Sequence, residues 1–160
     1  MAGSTTKKAV IRRYQRETLA GYVNPASFLQ PTGVEVLSEE GKVAVVPYGE
    51  IKTVAFVREF SDSDGGRRVF FTRPKMKGLW VSLKFRDGEV LEGVLSNNLL
   101  QFDAYGFMIV PPDPAGPQQR VFVPRAALES AEVLGVVGSP LRKKRKPAPA
   151  AGGQARLFDE

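Results

Sequence analysis

Hydrophobic and polar residues alternate in short runs from Ala9 to Val136, the period-two pattern of strands with one buried face. The runs are Ala9–Tyr14, Thr18–Asn24, Gly33–Leu37, Lys42–Val46 and Ile51–Phe60, then Val81–Arg86, Val90–Ser96, Gly106–Val110, Arg120–Val123 and Leu128–Val136. Between the sixth and seventh runs lies Asp87-Gly88, whose glycine tolerates the backbone of a tight hairpin. The chain is therefore expected to be all-β, with ten short strands.

The ten runs fall into two sets of five. Ala9–Arg13 aligns with Val81–Phe85 and Glu17–Val23 with Glu89–Leu95, both at an offset of 72. Gly33–Val36 aligns with Gly106–Ile109 at 73, and Val45-Val46-Pro47 and Ile51 align with Phe122-Val123-Pro124 and Leu128 at 77. The offset grows where loops are expected, chiefly across Pro111–Gln119, as in a duplicated unit whose strands are kept and whose loops drift. Gly21 and Gly93 hold equivalent places inside the second strand, where a missing side chain lets a strand bend or be approached closely. Pro47 and Pro124 hold equivalent places at the end of the fourth. The expected organisation is a first five-stranded module over residues 7–60, a linker and basic lead-in over 61–77, a second module over 78–138 and a disordered tail over 139–160.

Phe85-Arg86-Asp87-Gly88-Glu89-Val90-Leu91-Glu92-Gly93-Val94-Leu95 resembles the first Sm motif up to its glycine strand, and the five-strand pattern is similar to Sm-like and SH3-like small barrels. The resemblance implies two tandem barrels. It does not extend to RNA chemistry, because Ser96-Asn97-Asn98 and Asp103 lie off the spacing that Sm proteins use around their RNA loop. The body also resembles a poorly characterised bacterial family of duplicated barrel modules, through Ile51–Phe60, Phe85–Gly93 and Arg120–Val123. That resemblance implies a fold and no reaction.

Composition narrows the chemistry. The 160 residues include neither cysteine nor histidine, so thiolate chemistry, cysteine-ligated metals and the usual general base are absent. Scattered acids such as Glu17, Asp87, Glu89 and Asp103 form no visible catalytic set. Ser61–Gly66 has calcium-loop composition, but Arg73 stands where such a loop needs glutamate. The expectation is a non-enzymatic protein without cofactor or metal. No run spans a bilayer and the N-terminus has no secretory pattern, so a cytoplasmic location is expected, with no membrane partner.

Charge is unevenly placed. Of the formal net charge of +6, the last twenty residues hold +4. In the body, Lys7, Lys8, Arg12, Arg13 and Arg16 form one basic strip, and Arg67, Arg68, Arg73, Lys75 and Lys77 form another, interleaved with Phe70 and Phe71. Basic groups neutralise phosphates and aromatic rings stack on unpaired bases, so both strips are candidate nucleic-acid contacts for DNA or RNA. Arg142, Lys143, Lys144, Arg145 and Lys146 form a dense cluster suited to low-specificity attachment to a polyanion. Beyond a Pro/Ala/Gly spacer, Gln154-Ala155-Arg156-Leu157-Phe158 resembles the peptides that dock on DNA sliding clamps, which implies partner docking through Gln154, Leu157 and Phe158; docking on the chain's own barrel is the alternative. Arg12 and Arg16 have the Arg-x-x-x-Arg spacing of cyclic-dinucleotide-binding PilZ domains, but the accompanying turn at Val36–Gly41 begins with valine. The leading expectation is a nucleic-acid-associated binding protein, followed by a peptide-binding adaptor and then a PilZ-like sensor.

Overall fold

The computed structural model describes residues 6–63, 67–113 and 118–138. All ten anticipated strands form: β1 (Lys7–Arg13), β2 (Leu19–Val23), β4 (Gly33–Ser38), β5 (Val43–Pro47) and β6 (Ile51–Val57) in the first half, and β7 (Gly78–Phe85), β8 (Val90–Leu95), β9 (Gly106–Ile109), β10 (Gln118–Pro124) and β11 (Leu128–Val137) in the second. A two-residue strand not anticipated from the pattern, β3 (Leu29–Gln30), is added in the first half. Among the described residues there is no helix long and apolar enough to cross a membrane.

The strands form two sheets and no closed barrel. One sheet has eight strands, in the order β3-β4-β2-β1-β6-β10-β9 with β5 paired to β4 on the edge opposite β3; the other is β11-β7-β8. The expectation of two separate barrels is corrected in this respect: β6 of the first half pairs directly with β10 of the second, through Val54↔Phe122, Ala55↔Val121 and Phe56↔Arg120.

Within this shared architecture the two halves keep the same registers. Ala9↔Gly21 in the first corresponds to Val81↔Gly93 in the second, and Gly33↔Pro47 corresponds to Gly106↔Pro124. Even the irregularity is repeated: Lys52 is skipped between the pairs Arg12↔Thr53 and Arg13↔Ile51, as Glu129 is between Lys84↔Ser130 and Phe85↔Leu128. One substitution accounts for the division into two sheets. In the first half β2 and β4 are joined by Tyr22↔Leu37 and Gly21↔Ser38. The second half keeps a bridge at Val94↔Val110, where both N–H groups bond across it; the next N–H aimed at β8 would be that of residue 112, a proline where the first half has Glu39, so the ladder stops there.

The middle strands explain why the halves cannot be separate bodies. Ala9-Val10-Ile11, Val54-Ala55-Phe56-Val57 and Val121-Phe122-Val123 are continuous apolar runs, the signature of strands buried on both faces. Ala9, Ile11, Ile51, Val54 and Phe122 point into a core with Val34, Val36 and Phe28. Val10, Ala55, Val57, Val121 and Val123 point the other way, into a core with Leu83, Phe85 and Leu91. Each half thus contributes side chains to the other's core.

Candidate functional site

A groove of about 900 Å³ lies between the loop at residues 24–29 and the segment from Leu95 to Met108, and is also lined by Met76 and Lys77. Its position follows from a difference between the halves. In the first, β3 lies along the outer edge of β4, through Leu29↔Val34 and Gln30↔Gly33, and the Glu35 N–H donates to the Phe28 carbonyl at 2.9 Å. By the shared register, Met108 is the counterpart of Glu35 and its N–H is directed to the outer side of β9. The second half puts no strand there. The corresponding segment turns instead as a short 3-10 helix, Leu99–Gln101, begun by the Asn98 side chain, which accepts from the Leu100 N–H. Among the described residues no strand pairs with the outer edge of Gly106–Met108.

Partly exposed Phe102 lines the groove, and just before it in the chain Leu100, 93% exposed, and Leu99 face solvent. The groove's wall is firm. Tyr48 and Tyr105 stack at 4.9 Å, and the Tyr48 hydroxyl donates to the Gln30 carbonyl at 2.6 Å. Burial, with Tyr105 and Asp103 nearby, pushes the Tyr48 pKa up to about 12. Burial also raises the Asp103 carboxyl, against the opposing charge of Arg120. A groove with one acid and two basic groups, an apolar lining and an unpaired strand edge is equipped to bind an extended segment. No arrangement of nucleophile and base is present in it, and among the described residues no cluster of acids could hold a metal ion.

A second, smaller cleft of about 250 Å³ is polar and lies where the halves meet. Arg12, Arg13 and Tyr14 of the first half face Arg68, Asp87 and Glu89 of the second across Lys52. The Lys52 ammonium bonds Asp87 at 2.7 Å and also Glu89, whose other oxygen is 3.0 Å from Arg68. Burial opposes the charge on Lys52, but the two carboxylates outweigh it and raise its pKa; the Lys52 hydrogen bond in turn lowers that of Asp87. Lys52→Met removes the cation, leaves Asp87 unmatched and leaves Glu89 to Arg68 alone, so it is expected to cost about 1–2 kcal/mol near neutrality, between surface and buried ion pairs. A carboxyl lowered by folding stabilises above its unfolded value of 3.8 and loses that contribution as acid protonates it. The gap between wild type and Lys52→Met in urea denaturation should therefore narrow below pH 3.8.

The two basic strips meet only in part. Arg12, Arg13 and Arg68 share the small cleft, while Lys77 borders the large groove. Several of the cations are engaged within the fold. Lys8 pairs with Glu59 at 3.0 Å, Arg13 donates to the Glu17 carbonyl at 2.9 Å and Arg73 donates to the Val136 carbonyl at 2.7 Å. Arg16 lies 3.9 Å from Glu50, in the hairpin beyond β1 rather than beside Arg12 on the strand. Lys7, Arg67 and Lys75 are exposed. Phe70 is held in the fold, edge-on to Trp80 at 6.2 Å, with its N–H and the Trp80 indole both donating to Glu92 at 3.0 Å. Phe71 is 73% exposed, with the Arg67 guanidinium 4.5 Å from its ring centre. The tail cluster Arg142, Lys143, Lys144, Arg145 and Lys146 and the terminal Gln154, Leu157 and Phe158 lie outside the described residues.

Two features escaped the sequence reading. The exposed pair Leu99-Leu100, next to the groove-lining Gln101 and Phe102, was signalled by its place directly after the turn residues Ser96-Asn97-Asn98 and outside any alternating run. The junction role of Tyr14, whose hydroxyl donates to the Ala127 carbonyl at 2.7 Å beneath the Arg86 guanidinium, had no local signal. No curated protein and no solved structure matches the chain. A family profile does match, over residues 5–135, and the chain accordingly belongs to DUF6982, a family of unknown function.

Proposed function

We propose that the protein is a non-enzymatic binding protein, built from a duplicated small β module, whose large groove takes an extended apolar segment of a partner protein by strand addition along β9. One observation carries the reading: the edge that the first half covers with its own Leu29–Gln30 is left open in the second, beside a groove large enough for such a segment. Main-chain hydrogen bonds to β9 supply affinity, and the lining side chains Leu29, Phe102 and Met108 supply apolar contact. The engagement of Lys8, Lys52, Arg13, Arg68 and Arg73 within the fold favours this adaptor over a nucleic-acid surface on the body.

A second reading is favoured by Phe71 and Arg67, an exposed ring and guanidinium suited to stacking on an unpaired base. Together with the basic run 142–146 this pair would give salt-sensitive attachment to nucleic acid.

One experiment separates the two. A random peptide library is panned on the full chain, and the enriched peptide is titrated by fluorescence anisotropy beside a labelled single-stranded oligonucleotide. Peptide binding is expected, with slowed amide exchange at Met108. It should weaken about tenfold in Met108→Pro, which removes one outward hydrogen bond, and be unchanged in Phe71→Ala. Equal peptide affinity for wild type and Met108→Pro, or no enrichment, rejects the groove. Oligonucleotide binding that falls in Phe71→Ala establishes the second reading in its place.

A further inference from the structure

The β6·β10 junction joins the last strand of the first half to the fourth strand of the second. Its two counterparts, β11 as last strand of the second half and β5 as fourth strand of the first, lie in different sheets, each with one neighbour only among the described strands: β7 for β11 and β4 for β5. We propose that copies of this chain associate head to tail through these strands, β11 of one copy pairing antiparallel with β5 of the next and repeating between molecules the junction already formed within one.

Three observations converge on a second copy as the occupant. The first is register. Shifting both partners of Phe56↔Arg120 and Ala55↔Val121 by the repeat offset of 77 sets Val133 opposite Val43 and Glu132 opposite Ala44. The skipped residue that shapes β6 at Lys52 recurs in β11 at Glu129, and Pro124, which ends β10, recurs as Pro47 at the end of β5. The unused strands therefore carry the shape of the used ones.

The second is burial. Val57 is buried at the formed junction while its counterpart Leu134 faces solvent, and Val43 and Val133, which the shifted register sets opposite one another, are 64% and 61% exposed. The third is sparse protection. An exposed strand edge is usually blunted by lysine or proline, yet the ten residues of β11 contain neither, and the Arg73 guanidinium caps it at the Val136 carbonyl, beyond Glu132 and Val133. Because the two contacting surfaces differ, the association is heterologous and produces a ring where the rotation closes and a filament where it does not. This goes beyond peptide capture and uses none of the groove residues, so either can fail without the other.

The absence of natural cysteine makes the test clean. Full-length single variants Val43→Cys, Val133→Cys, Ala44→Cys and Glu132→Cys are oxidised alone and in mixtures, and wild-type mass is measured by light scattering over a range of concentrations. Expected are masses at multiples of the single chain. Disulfide-linked pairs should form when Val43→Cys is mixed with Val133→Cys, or Ala44→Cys with Glu132→Cys, and not when each is oxidised alone. Val133→Lys should reduce the assemblies to single chains without changing the melting temperature. A chain that stays single at every concentration overturns the proposal, whether its ends are bare or covered by its own tail. Cross-links between like variants, or assemblies untouched by Val133→Lys, overturn it equally.

Discussion

Phe122→Ala is expected to lower the free energy of unfolding by about 3–5 kcal/mol and to unfold both halves of the chain in one transition. Phe122 belongs by sequence to the second half, yet its ring is fully buried in the first half's core, edge-on to Phe28 at 5.7 Å, above the strand pair Val54↔Phe122. Truncation removes a large apolar side chain and leaves a cavity bounded by a two-sided sheet, which has little freedom to collapse. Trp80, the single tryptophan, lies in the second half and reports on it by fluorescence. Because β1, β6 and β10 serve both cores, the Trp80 transition and the loss of β-structure by circular dichroism should coincide in urea, in wild type and mutant alike. Phe71→Ala, at an exposed ring, serves as the comparison and should change stability by no more than about 0.5 kcal/mol. A Trp80 transition unmoved by Phe122→Ala would show that the halves are energetically independent.

Gly33→Ala should be nearly as damaging, at about 3 kcal/mol, for a different reason. A Cβ at residue 33 would sit 2.1 Å from the Val46 carbonyl oxygen and 2.7 Å from its carbon, both backbone atoms of the neighbouring strand. No rotamer change relieves such a contact, so β4 and β5 must part where Gly33 faces Pro47. Gly106→Ala repeats the experiment in the second half, with the Val123 carbonyl oxygen at 2.3 Å. The two substitutions should give similar losses in thermal or urea denaturation. A Cβ at Gly49 meets nothing within 4 Å, so Gly49→Ala should stay within about 0.5 kcal/mol of wild type. Equal behaviour of Gly33→Ala and Gly49→Ala would show that the strands yield to an added methyl group.

Much of this architecture was legible in the sequence. The constant offsets between Ala9–Val23 and Val81–Leu95 anticipated registers that coincide pair by pair, and Asp87-Gly88 anticipated a hairpin in which Gly88 adopts φ 96°. What stayed hidden depends on partners distant along the chain. Strict alternation identifies a strand with one buried face, but Val121-Phe122-Val123 has two, and nothing local says that Phe122 faces one core while its neighbours face the other. Pro112 was visible as a loop residue, yet its effect, reducing the contact of β8 and β9 to one bridge, is apparent only beside Glu39 in the other half. The basic strips were visible as well. Their engagement with Glu59, Glu89 and the Val136 carbonyl was not, because ion pairs between segments leave no periodic trace.

The crossing of Phe122 into the earlier half has a consequence for synthesis. A nascent chain that has emerged only as far as Val57 has all of β1 to β6 but lacks the ring that completes their core. The first module is left with an apolar vacancy until synthesis has passed Phe122, and its folding on the ribosome should lag well behind its emergence.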